Sequence, residues 1–172
     1  MDPKTTKVLL IDDDPNLRGV LSDILKEKGF ESVPVKSVAA ALAQIEQQDI
    51  DVVLIDIKLE DMSGLDVLRS IKARSPEIEC IMLTGHASQA TAIKAVNLGA
   101  YSYFQKPYEV DQLLVAIRRA AEKHAAEHAL QESEARFRSI IENSSDLICI
   151  LNPDATLRYV SPSIERLLGY TS

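Results

Sequence analysis

The sequence predicts an α/β domain built on a five-stranded parallel sheet with helices on both faces, followed by a long helix and a small second segment. Three observations carry this reading. Short aliphatic runs, "VLLI" at residues 8–11, "DVVLI" at 51–55 and "CIMLT" at 80–84, look like strands buried on both faces. Stretches with apolar residues at helical spacing alternate with them, which is the pattern of a parallel sheet wrapped by crossover helices. Each strong strand also ends on a chemically active residue: Asp12 and Asp13, then Asp56, then Thr84.

Taken in order, the run at 8–11 forms the first strand, and Leu17, Val20, Leu21, Ile24 and Leu25 recur as a helical stripe that Gly29 terminates. Asp14 followed by Pro15 is the expected N-cap and first helical position. A weaker strand at 32–35 precedes a helix carrying Val38, Leu42 and Ile45. The strand at 51–56 leads into a helix marked by Leu65, Leu68 and Ile71. After the strand at 80–84, an alanine-rich helix runs from 88 to 97 and stops before Gly99. "YSYFQ" at 101–105 closes the sheet and is followed by Lys106-Pro107.

Composition bounds the function. The chain has 172 residues, enough for one domain and part of another, and its 46% hydrophobic and 26% charged content is that of a soluble globular protein. A net charge of −7 argues against a nucleic-acid footprint, which needs a basic face. Cys80 and Cys149 lack metal-ligand spacing and read as reduced core residues of a cytoplasmic protein. "MDPKTTK" has no apolar leader, and no apolar run reaches membrane-spanning length.

In open α/β sheets, ligands collect at the carboxyl ends of the strands. Asp12, Asp13, Asp56, Thr84 and Lys106 would converge there. Such a set suits a hard cation such as magnesium beside a phosphoryl group, with Asp56 as a nucleophile forming an aspartyl phosphate. Taken singly, each residue has a plainer reading: solvated loop acids, a strand-end hydroxyl bonding backbone, a surface lysine. The joint pattern outweighs these.

"LLIDDDP", "VVLIDIKLEDMSGLDVL", "IMLTGH" and "YFQKPY" together resemble the receiver domain of two-component response regulators, over about residues 5–120. The resemblance implies a flavodoxin-like sheet of order 2-1-3-4-5 and a cis bond between Lys106 and Pro107. It implies that Asp56 accepts phosphate from a histidine kinase or phosphotransfer protein, and that the domain catalyses its own phosphorylation and dephosphorylation. Asp12 and Asp13 would hold Mg2+, for which Mn2+ can substitute, together with Asp56 and the backbone carbonyl of Lys58. Thr84 and Lys106 would engage the phosphoryl oxygens, and Tyr103 matches the aromatic switch position. The side chains of Lys58 and His86 would flank the phosphoryl group and tune its lifetime. Glu60 stands where the family usually carries proline. A haloacid-dehalogenase phosphatase would carry a second acid at position 58, where this chain has lysine. A receiver-like scaffold that binds partners without being phosphorylated remains the alternative.

From Glu109 to Asn143 no Gly or Pro interrupts the sequence, so one helix of about 35 residues would reach about 50 Å. Val110, Leu113, Leu114 and Ile117 can pack on the first domain. Beyond Ala120 the helix is weakly apolar and would favour pairing with a second copy, with Leu130, Phe137 and Ile141 as seam candidates. "HAAEH" matches the spacing of an inverted zinc-peptidase motif, but no third ligand accompanies His124 and His128, and a solvated helix is the expected reading.

Residues 133–172 resemble the opening of a PAS sensory domain: "DLICIL" and "TLRYVS" as strands about the turn-forming "NPDA", then a Ser-capped helix. The expected organisation is a receiver at 1–120, a signalling and dimerisation helix at 109–142, and a truncated PAS segment at 143–172. A longer parent would continue into a histidine kinase or another PAS-linked output.

Overall fold

The structure, a computed structural model, describes residues 5–60, 62–85, 88–143, 148–161 and 163–164. The chain divides into two compact units, residues 1–127 and 128–172. In the first, strands and helices alternate: β1 (Lys7–Ile11), α1 (Pro15–Glu27), β2 (Glu31–Val35), α2 (Val38–Gln47), β3 (Val52–Asp56), α3 (Gly64–Arg74), β4 (Glu79–Thr84), α4 (Gln89–Asn97), β5 (Ser102–Gln105) and α5 (Val110–Asn143), which runs on into the second unit. All five strands are parallel, in the order β2-β1-β3-β4-β5.

The unbroken aliphatic runs are explained by burial on both faces. Alternate residues of each strand feed two separate cores. Val8, Leu10, Leu54, Ile81 and Leu83 pack beneath α1 and α5 with Leu21, Leu25, Leu113 and Ile117. Leu9, Ile11, Val53, Ile55 and Met82 pack against α2, α3 and α4 with Ala41, Leu68, Ile71 and Ala95. Each fully buried side chain of this size stabilises the fold by about 1.5–3 kcal/mol before entropy is set against it. Asp14, Ser37, Ser63 and Ser88 cap the four short helices at their starts. Gly29 and Gly99 follow α1 and α4 with φ of +85° and +86°, the left-handed conformation that ends a helix at least cost in glycine. The Lys106–Pro107 bond is cis, as the resemblance implies.

Three expectations need correction. Leu17 and Val20 are 48% and 61% exposed, because α1 buries only the stripe through Leu21, Ser22 and Leu25. On α5, Ile141 is buried, and the exposed position is its neighbour Ile140. In the second unit, β6 (Cys149–Leu151) and β7 (Leu157–Val160) pair as an antiparallel hairpin. All three residues of β6 are exposed, so Cys149 is not a core thiol; a two-stranded ribbon has little interior to bury it in. The "NPDA" turn closes with Asn152 donating to the Thr156 carbonyl, while Ala155 takes a positive φ of 65°. Among the described residues, no helix is long and apolar enough to cross a membrane.

Candidate functional site

Parallel register brings the strand ends to one edge. Ile11 sits beside Ile55, Asp56 beside Leu83, and Thr84 beside Gln105. The residue that follows each strand, or ends it, therefore faces the same crevice. Asp12, Asp56 and Thr84 are all buried there, at 2%, 7% and 3% exposure.

Lys106 joins two of them. Its Nζ lies 3.0 Å from Asp12 Oδ2 and 2.5 Å from Asp56 Oδ2. The other carboxylate oxygens are held by main chain: the Asp14 N–H donates to Asp12 Oδ1 at 2.9 Å, and the Lys58 N–H to Asp56 Oδ1 at 3.0 Å. Burial raises the Asp12 pKa above the ordinary carboxylate range, against the opposing pull of Lys106. Burial pushes the Lys106 amine the other way, but its bonds to Asp56 and Asp12 outweigh that and hold it above its usual range. Two buried acids thus share one ammonium, and Asp13, the next residue after Asp12, is only partly buried.

Asp14 serves the helix rather than the crevice. Its Oδ1 accepts the Asn16 and Leu17 N–H groups at 2.8 and 3.3 Å. Tyr103 lies on β5 against the core shared with α3 and α4, and its hydroxyl is buried with no hydrogen-bond partner among the described residues. The Lys58 side chain is exposed, and His86 lies outside the described residues.

The loop after β3, which carries Glu60, is closed by main-chain contacts. Lys58 and Ser63 form an isolated antiparallel bridge, and the Gly64 N–H donates to the Ile57 carbonyl at 2.8 Å. Two residues that sequence reasoning passed over matter here. A Cβ on Gly64 would stand 2.2 Å from the Asp56 carbonyl oxygen, so only glycine lets α3 start against the end of β3. Arg18, one turn into α1, donates from Nη1 to the Asp12 carbonyl at 2.6 Å and braces the main chain between the first two acids and the helix. The motif "DDDPNLR" contained that arginine at a spacing that returns it to the strand end.

Beside Lys106, a groove of about 490 Å3 runs between α1 and the start of α5, lined by Leu17, Val20, Ile24, Pro107 and Tyr108. The zinc-like histidines separate: His124 is buried beside Asp51, whereas His128 is exposed. The solvated-helix reading therefore holds for His128 and fails for His124. Among the described residues, no three His, Cys, Asp or Glu side chains form a ready metal cage.

Comparison with known proteins agrees with this geometry. The family model described as "Response regulator receiver domain" matches residues 8–118, and one described as "PAS domain" matches residues 135–172. The nitrogen assimilation regulatory protein NtrX of Azorhizobium caulinodans is 30% identical over 165 residues, covering 94% of this chain and 36% of that protein. A CheY-like response regulator receiver domain protein from Methanospirillum hungatei is 31% identical with a TM-score of 0.68, covering 72% of this chain and 99% of that one. The beryllofluoride-activated NtrC4 receiver domain dimer is 34% identical with a TM-score of 0.65, covering 69% and 98%. The chain spans about a third of the length of the curated relatives it matches first. With the matched model covering most of the chain and its acids, hydroxyl and amine meeting at one sheet edge, this protein belongs to the response regulator receiver family.

Proposed function

We propose that the domain is a phosphoacceptor in a phosphorelay, with Asp56 taking the phosphoryl group from a histidine kinase or phosphotransfer protein. The observation that carries this reading is the pairing of Asp56 and Asp12 through the single amine of Lys106 in a buried crevice. In the transfer, an Asp56 carboxylate oxygen attacks phosphorus, the O–P bond forms, and the N–P bond to the donor imidazole breaks. The leaving imidazole nitrogen takes a proton from solvent. Lys106 then pairs with phosphoryl oxygens instead of carboxylates alone, and Thr84 donates its hydroxyl to them.

The donor set suits Mg2+, with Mn2+ as a substitute. Magnesium uses one or two carboxylates plus water and phosphate rather than an all-protein cage, so the lack of such a cage among the described residues fits it. Asp13 would contact the ion, Asp12 would act largely through water, and Asp56 with the Lys58 carbonyl would complete the protein ligands. When bound, the ion offsets the charge of the phosphoryl group.

The groove beside Lys106 supports a protein donor: it offers an apolar surface at the mouth of the acid crevice. Output would pass through Thr84 and Tyr103 to α5 and the PAS-type segment, with homodimerisation along residues 109–142. A net charge of −7 favours a protein partner over a nucleic acid, and the two cysteines outside any paired spacing support cytoplasmic residence. Incubation with acetyl phosphate or a phosphorylated kinase plus magnesium should place a base-labile phosphate on Asp56, and Asp56→Asn should abolish it. Undiminished labelling of the Asn variant would rule out the assignment and favour the non-phosphorylated scaffold.

A further inference from the structure

A second polar constellation lies at the opposite end of the same two central strands. Asp51 immediately precedes β3 and Glu79 opens β4, while Asp56 and Thr84 end them. Both amino-end acids are buried, at 6% and 2% exposure. Consecutive residues of α5 meet them. Lys123 Nζ lies 2.5 Å from Glu79 Oε1, and His124 Nδ1 lies 3.5 Å from Asp51 Oδ1. Lys72 of α3 approaches the other oxygen of Glu79 at 3.9 Å, and the Lys7 N–H donates to Asp51 Oδ2 at 2.7 Å.

Position along α5 gives this cluster its meaning. Leu113, Leu114, Ile117, Ala120 and Ala121 hold the helix to the sheet by apolar contact. Lys123 and His124 come next, and from His128 to Ile140 every side chain is exposed. The helix is thus last gripped by polar contacts, the Lys123–Glu79 ion pair and the approach of His124 to Asp51, at the point where it leaves the receiver. Apolar residues of similar size would hold a helix at least as firmly, since buried ion pairs pay heavily in desolvation. A polar grip differs in being directional and separable by a small displacement.

We propose that Asp51 and Glu79 form an anchoring site for the linker helix through Lys123 and His124, and that occupancy of Asp56 loosens this anchor. This rests on the phosphoacceptor reading above. β3 and β4 carry the phosphoryl site at one end and the anchor at the other, hydrogen-bonded in register along their length. Displacement of β4 that brings Thr84 toward a phosphoryl group draws Glu79 away from Lys123. Coupling of this kind is reciprocal: whatever the mimic takes from the anchor, loss of the anchor returns as affinity for the mimic.

The test is amide hydrogen exchange on the full 172-residue chain, with and without magnesium and beryllofluoride. In the mimic-free protein, Lys123→Met/His124→Gln should lower protection of amides 120–130 about tenfold while β1, β3 and β4 keep theirs. Lys123→Met alone, at a half-exposed position, should show the same effect more weakly without risk to folding. Beryllofluoride should lower protection of the same amides at least threefold in the wild type and leave the double variant unchanged. The double variant should bind the mimic correspondingly tighter. Unaltered protection in the mimic-free variants would overturn the anchor, and an identical mimic response in wild type and variant would overturn the coupling. Failure of the mimic to protect the β3–α3 loop would instead remove the phosphoacceptor reading and the coupling with it, while the anchor is decided by the mimic-free comparison.

Discussion

Gly64 presses its Cα against the main chain of Asp56 so closely that a Cβ would meet the Asp56 carbonyl oxygen at 2.2 Å and Ile57 Cα at 2.7 Å. Neither atom belongs to a flexible side chain, so the strand end itself must give way. Gly64→Ala should therefore destabilise the fold by about 1–3 kcal/mol, in the range of overpacked cores. Because the displaced atoms belong to Asp56, the proposed acceptor, and the residue after it, phosphorylation should slow by more than the stability loss explains. Denaturant unfolding alongside acetyl phosphate kinetics checks both, and a variant with unchanged labelling rate would show that the close approach serves packing alone.

The three neighbouring acids should separate by role. Asp13→Ala should remove magnesium binding most completely, Asp12→Ala less so, and Asp14→Ala barely, with calorimetric titration as the measure. Asp14→Ala should instead cost about 0.5–2 kcal/mol through loss of the α1 cap. Asp12→Asn has a further signature in the metal-free protein. Since burial raises the Asp12 pKa, its contribution to stability is complete below the ordinary carboxylate range and is lost as pH rises through the higher folded value. The Asn variant should melt above the wild type at neutral pH, and the gap should close on acidification. A gap that persists at low pH would assign the difference to packing.

How far these features were legible depends on the distance over which each is determined. The central strands were readable because both-face burial leaves an uninterrupted aliphatic run, as in Val52–Asp56. β2 was weaker to the eye, since "ESVPV" pairs only with β1 and carries a proline at an edge. The acids, Thr84 and Lys106 stood out through their place at strand ends. Gly64 and Arg18 did not, because one acts by a close approach and the other by a bond to main chain. Asp51, Glu79 and Lys123 were not singled out in the sequence, and His124 stood out only by its spacing to His128; the packing of α5 against the sheet is what brings them together. Leu17 and Val20 carried the same periodicity as Leu21 and Leu25, and periodicity does not tell a core stripe from an open groove.

Arg18 offers a test of whether the first acidic loop needs bracing. Its bond to the Asp12 carbonyl is charge-assisted, a class worth about 1.5–3 kcal/mol. Arg18→Ala should weaken magnesium binding about tenfold, and Arg18→Lys, which can still donate to that carbonyl, should restore part of it. Equal affinity in all three proteins would leave the arginine a surface role.

Self-association is the remaining prediction. Leu130, Phe137 and Ile140 are 61%, 61% and 60% exposed on α5. The first two are seven residues apart and the third follows at a spacing of three, so they share the a and d positions of one heptad frame. A helix with so little other apolar surface gains most by pairing that seam with the same seam of a second copy. The rest of the helix between residues 128 and 140 is mostly charged or polar and exposed, which limits the affinity and makes it open to modulation. Sedimentation should detect a dimer whose affinity or shape changes with magnesium and beryllofluoride, and distances between labels on the paired helices should change with it. Leu130→Glu/Phe137→Glu should yield a monomer that still incorporates phosphate on Asp56 at the original rate, since both are exposed side chains of α5 outside the unit that holds the crevice. A monomer at high concentration with and without the mimic, and no change between labelled positions, would sink the dimer.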